Sequence, residues 1–260
     1  MVGMPTVRLV KMSAFAAVSV SSSQISSASS NGQFGSLRIS RAFAVVLKGP
    51  KPGLDKGING TWFLLTVSTE SIVVLGSLLL GRHPSDLLAF SLVAAFTLGL
   101  VLYLIVMTMV FLRWTFSELD PTEADPPAWI AAGAVAITVL AGSNLLGAQA
   151  ASLRIERLAP FIEAIVMLAW TTATFWFPLM IAIGIWRHLI NRVPLRYHPS
   201  YWALIFPLGM YGAATFRMRD ATKLNTLAWL PEVTLTVALA AWTAAFIGLL
   251  LQGRRALARG

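Results

Sequence analysis

The sequence contains no cysteine, which removes disulfides, thiolate metal sites and cysteine nucleophiles and leaves the redox compartment unspecified. Charge is scarce too: only 12% of the 260 residues are Asp, Glu, Lys or Arg, about half the share of an average soluble domain. Histidine occurs three times, at His83, His188 and His198, each in a connector between apolar stretches. GxSxG, HExxH and phosphate-binding glycine loops are all missing. An intramembrane enzyme needs a nucleophile with a base, or a metal cluster, at bilayer depth, and neither is visible. The sequence therefore points away from an enzyme, with no cofactor or metal expected, and towards a transporter or channel.

What fills the chain instead is apolar: 57% of residues are hydrophobic and the mean hydropathy is +0.72. Six stretches, 61–80, 87–112, 128–148, 161–186, 200–216 and 229–251, approach the roughly 20 residues that cross a bilayer core, the fifth being the shortest and most interrupted. The expected fold is an all-α membrane protein with six transmembrane helices in three hairpins.

The net charge of +9 is carried in the loops rather than along one soluble surface, so it signals topology and lipid contact and not a nucleic-acid partner. One side collects Arg38, Arg41, Lys48, Lys51, Lys56, Arg113, Arg187, Arg192, Arg196, Arg254, Arg255 and Arg259, the other only Arg82, Arg154, Arg157, Arg217, Arg219 and Lys223. The richer side is expected to be cytoplasmic, placing both ends of the helical block on the cytoplasmic side of the cell membrane. The acidic run at 117–127 has four carboxylates, but its spacing fits no calcium loop and its prolines fit a solvated connector.

Residues 1–50 differ from the rest, a serine-rich leader followed by a basic linker, expected to be disordered; 51–260 form the transmembrane domain. Within that domain the odd-numbered spans are the more polar or smaller. Span one places Thr66, Glu70 and Ser77 near one helical face, and span three repeats Ala134, Thr138 and Gly142 at four-residue spacing, which lets backbones approach closely. Spans two and six are bulkier, and span four is mixed. An inner set of one, three and five screened by two, four and six follows from this pattern. Glu70 is an ionisable group near mid-membrane, suited either to proton coupling or to a hydrogen bond with a neighbouring helix. Glu163 and Glu232 are read as first-turn carboxylates complementing a helix dipole.

Span five contains "YWALIFPLGMY". Pro207 cannot donate to the carbonyl of Ala203, and its ring disfavours helical geometry at Phe206. Phe206 shares a face with Gly209 and Ala213, so one bulky ring stands on a thin wall. That arrangement suits a narrow passage with one constriction, and it is also compatible with ordinary packing beside a membrane proline.

Three segments, "NGTWFLLTVSTESIVVLGSLL" at 59–79, "DPPAWIAAGAVAITVLAGSNLL" at 125–146 and "WFPLMIAIGIWRHLINRVPLRYHPSYWALIFPLGMYGAAT" at 176–215, resemble the tellurite-resistance and C4-dicarboxylate transporter family, which includes plant slow-type anion channels. The resemblance covers about residues 50–260 and looks bacterial. It implies ten helices in five hairpins around a central pore, with this chain similar to helices five to ten and lacking the first four. It further implies that Phe206 with Pro207 forms the pore gate, that Thr66, Glu70, Ser77, Ala134, Thr138, Gly142, Gly209 and Ala213 line the pore, that small anions or C4-dicarboxylates such as malate pass through it, and that the protein forms homotrimers. The alternative is a truncated, transport-incompetent membrane fragment or interaction protein of the same family.

Overall fold

The structure is a computed structural model that describes residues 57–118, 126–194 and 197–257. The expected leader at 1–50 and most of the acidic run lie outside those residues. Among the described residues there are six long helices and no strand: α1 (Leu64–Arg82), α2 (Asp86–Phe116), α3 (Ile130–Gly147), α4 (Leu153–Ile185), α5 (Trp202–Thr222) and α6 (Leu230–Leu257). Five segments are long and apolar enough to cross a membrane, Gly60–Arg82, Asp86–Phe116, Ile130–Gly147, Leu153–Ile190 and Leu230–Arg254. The remaining helix, α5, carries Arg217, Arg219 and Asp220 in its last turns and Pro207 within it, which lowers its apolarity without shortening it.

Short connectors fold the helices into three antiparallel hairpins. Local chemistry sets the ends. Asn59 accepts from the Thr61 amide at 3.0 Å ahead of α1, and the Ser85 hydroxyl caps α2, with Asp86 in its first turn and Arg82 in the last turn of α1. α4 begins at Leu153 and runs through Pro160, eight residues earlier than the apolar pattern suggests, because a polar first two turns leave no hydropathy signal. Glu163 consequently sits in the helix interior, and the first-turn carboxylate of α4 is Glu156. Glu232 does occupy the first turn of α6.

The α1–α2 hairpin is held in register by three contacts. Phe63 meets Tyr103 with ring centroids 5.4 Å apart, Glu70 lies over Gly99, and Leu92 fills the place a side chain would take at Gly76. The same tyrosine joins α2 to α4: the Trp176 Nε1–H of α4 donates to the Tyr103 hydroxyl at 2.6 Å, and Trp176 meets Trp114 edge-on. α3 is enclosed by α1, α2, α4 and α5, and almost every residue from Ile130 to Leu146 is buried. Its alanines and glycines help make that enclosure possible, since they let neighbouring backbones approach between its larger aliphatic residues.

Candidate functional site

The polar residues expected on α1 and α3 are all buried. Thr66, Glu70 and Thr138 have no exposed surface and Ser77 almost none, while Ala134 and Gly142 are likewise enclosed. Most hydroxyls in this bundle are satisfied by the carbonyl four residues back, as Ser77 is by Val73 at 2.7 Å and Thr138 by Ala134 at 3.3 Å. Thr66 and Ser143 are not, and neither carboxyl oxygen of Glu70 meets a donor in good hydrogen-bond geometry, although the Thr138 hydroxyl of α3 lies beside the carboxyl. A buried polar group without a partner costs free energy, so each such group needs a reason.

Glu70 extends from α1 into a notch on α2. A Cβ at Gly99 would fall 2.3 Å from its Oε1 and 2.7 Å from its carboxyl carbon, so only glycine leaves room for the carboxyl there. Gly142 makes a similar notch: a Cβ would meet Val166 Cγ2 at 2.4 Å and the Phe96 ring at 2.9 Å. Gly142 therefore faces the bulky helices α4 and α2.

Phe206, Gly209 and Ala213 stand on a different kind of surface. Pro207 and Leu208 are buried, Phe206 is half-buried, and Ala213 and Phe216 are exposed. A Cβ at Gly209 would meet nothing within 4 Å. The face of α5 that carries these residues is thus open, whereas the opposite side, through Tyr211, Ala214, Thr215 and Met218, is buried. Its rigidity comes from that buried side: Trp170 donates to Thr215 at 3.0 Å, Tyr211 pairs with Thr174 at 2.7 Å, and Phe177 packs on Tyr211 with centroids 4.8 Å apart.

Arg217 was not among the sequence candidates. It lies eleven positions beyond Phe206, about three helical turns, and so returns to the same face of α5. Its Nε–H donates to Asn144 Oδ1 on α3 at 3.0 Å, and Asp220 lies 3.8 Å from Nη1. The Arg217 side chain is 40% exposed, tethered at one end of the open face. Its charge was counted only as a loop signal, because the end of α5 is not an apolar stretch. Among the described residues, no three His, Cys, Asp or Glu side chains gather as metal ligands would.

Comparison with known proteins places these features in context. The sequence profile of the SLAC1 family, voltage-dependent anion channels, matches residues 12–250, a span that extends into the segment outside the described residues. A membrane protein of Mycobacterium tuberculosis is 38% identical over 149 residues, 57% of this chain and 75% of that protein. Two transporters of Methanocaldococcus jannaschii are 26% and 25% identical over 166 and 178 residues, covering 61% and 65% of this chain. The matches span 45% and 48% of those archaeal proteins, about half their length. No solved structure matches the chain.

Proposed function

The chain belongs to the voltage-dependent anion channel family, whose members are membrane transporters rather than enzymes, and we propose that it conducts small anions, C4-dicarboxylates such as malate among them, along the open face of α5. The observation that carries this reading is the composition of that face: a half-buried Phe206, then Gly209 and Ala213 with free space in front of them, then the tethered guanidinium of Arg217. A cation at one end draws anions to the face by charge, and the thin wall beyond it leaves room for them to pass. With no lysine or arginine at mid-span, binding along the passage rests on backbone dipoles and width, which favours weak binding and channel-like turnover.

In this reading Phe206 is the gate, displaced towards the passage by Pro207, and Gly209 and Ala213 line it. Thr66, Ser77, Ala134, Thr138 and Gly142 form the packed wall behind the lining, and Glu70, a fully buried carboxyl in that wall, is the residue that couples flux to protons. The charge distribution favours both ends of the block in the cytoplasm of a plasma-membrane protein, and the family resemblance favours a homotrimer. A second reading, a membrane-embedded interaction protein without flux of its own, is favoured by the same open face, which another helix could cover.

Reconstitution in liposomes separates these readings. Chloride, nitrate or malate efflux from vesicles holding only this chain is expected, and it rises in Phe206→Ala because the ring is the constriction. Absent flux with folded protein overturns transport by the chain alone. Glu70→Gln is expected to keep the flux but flatten its dependence on pH; an unaltered pH profile removes Glu70 from coupling.

A further inference from the structure

We propose that Gly133 on α3 is the seat of the Phe206 ring, a positioning residue that fixes how far the gate stands out into the passage; the inference rests on the gate reading above. A Cβ added at Gly133 would lie 2.3 Å from Phe206 Cε1, 2.6 Å from Phe206 Cδ1 and 3.2 Å from the Cα of Pro207. The edge of the ring therefore occupies the volume of the absent side chain. The α5 backbone also comes close at the one residue whose φ is locked by its own ring. That stiffness matters. Where a neighbour is the far end of a flexible chain it can swing aside, but here the ring is anchored beside a proline and the helix behind it is pinned through Pro207 and Leu208, both buried.

Gly133 differs in this from the other glycines near the passage. Gly209 has nothing within 4 Å of its Cβ position, and Gly147 has only Arg217 Nη2 at 3.8 Å. Space is thus available on the open side of the ring and withheld on the α3 side. A methyl group at Gly133 leaves the ring one direction to move, outward over Gly209 and Ala213, which narrows the passage. Gly133 and Phe206 thereby act as a pair: the notch sets the resting depth of the gate, and a residue with a side chain at 133 holds it further closed.

A double-mutant cycle on the full chain tests this, with anion efflux from liposomes and melting temperature in detergent as readouts. Gly133→Ala is expected to lower flux about fivefold or more, because the clash biases the ring towards its outward, narrowing position, and to lower the melting temperature. In a Phe206→Ala background the same Gly133→Ala substitution is expected to leave flux unchanged and to cost much less in melting temperature, because the clashing ring is gone. Should Gly133→Ala alone fail to fold, Phe206→Ala is expected to rescue it; failure of the double variant to fold overturns the inference. If Gly133→Ala lowers flux by the same factor with and without the phenyl ring, the seat is overturned while the gate stands. If Phe206→Ala leaves flux unchanged, or no variant conducts, the gate reading falls and the seat falls with it as a gating device, even where the melting temperatures remain coupled.

Discussion

α3 and α6 are similarly apolar by composition, yet 89% of the most apolar stretch of α3 is buried by the rest of the protein and only 11% of that of α6. The difference lies in how many helices each one meets and in the size of the side chains it leaves outward. Alanine, glycine and short polar residues make up most of α3, the rest being Val, Ile and Leu, and it is enclosed by four helices. α6 presents Leu235, Leu239, Trp242, Ile247 and Leu250 outward, and the buried apolar residues among its described side chains are Ala238 and Ala245. In lipid an apolar surface gains little from burial, so the order of packing follows from which backbones can approach, and bulky residues are left facing the bilayer.

The sharpest way to break this comparison is to give one helix the side chains of the other. Gly142→Leu on α3 drives a branched chain into Val166 and Phe96, where even a Cβ would sit 2.4 Å and 2.9 Å away. It is expected to cost about 3 kcal/mol or more, or to abolish folding, as strong overpacking does. Gly209→Ala on the open face of α5 is expected to do the reverse. Its added methyl meets nothing, so the helix gains about 0.5–1 kcal/mol from alanine's better propensity. Thermal melts in one detergent read both; equal losses for the two variants would show that α5's face is as closely packed as α3.

A smaller effect is expected at the contact between α2 and α4. Tyr103→Phe removes the hydroxyl that accepts from Trp176 Nε1 at 2.6 Å and leaves that indole N–H buried and unpaired. A loss of about 1–2 kcal/mol follows from the orphaned donor. Adding Trp176→Phe to it is expected to recover part of the loss, since the donor is then absent as well. A double variant that melts lower by the sum of the two single losses would show that the hydrogen bond is not what matters there.

The sequence made the helices legible and their faces only partly so. Six apolar stretches with Pro, Gly and charge between them fix six helices in three hairpins, because crossing lipid demands length and leaves turns no other place. The start of α4 escaped because Leu153 to Glu163 is amphipathic and polar at its head. Among the site residues, Phe206, Gly209 and Ala213 could be grouped from spacing alone, since they share one helix. Gly133 could not: its partner is 73 residues away in another helix, and one sequence carries no record of which neighbour a glycine accommodates. Glu70 was visible as an anomaly, but not that its oxygens would lie against Gly99.

The smallest effect is expected at the ion pair that ties the starts of α2 and α4 together. Arg154 donates through Nε and Nη2 to both carboxylate oxygens of Asp86 at 3.0 Å and 2.6 Å and also lies over the Phe90 ring, 5.5 Å from its centroid. The geometry is bidentate, which favours the pair. Both groups face solvent, however, and water and salt take back most of what the Coulomb attraction provides. Asp86→Asn is therefore expected to shift the melting temperature less than any variant above, and the shift is expected to shrink further in about 1 M salt, where screening acts over only about 3 Å. The stacking of Arg154 on Phe90 survives that substitution, so Arg154→Ala should lose more than Asp86→Asn. Equal losses would assign the whole contribution to charge, and would mean that even at the rim the hairpins are joined by electrostatics rather than by the side-chain packing that orders α3.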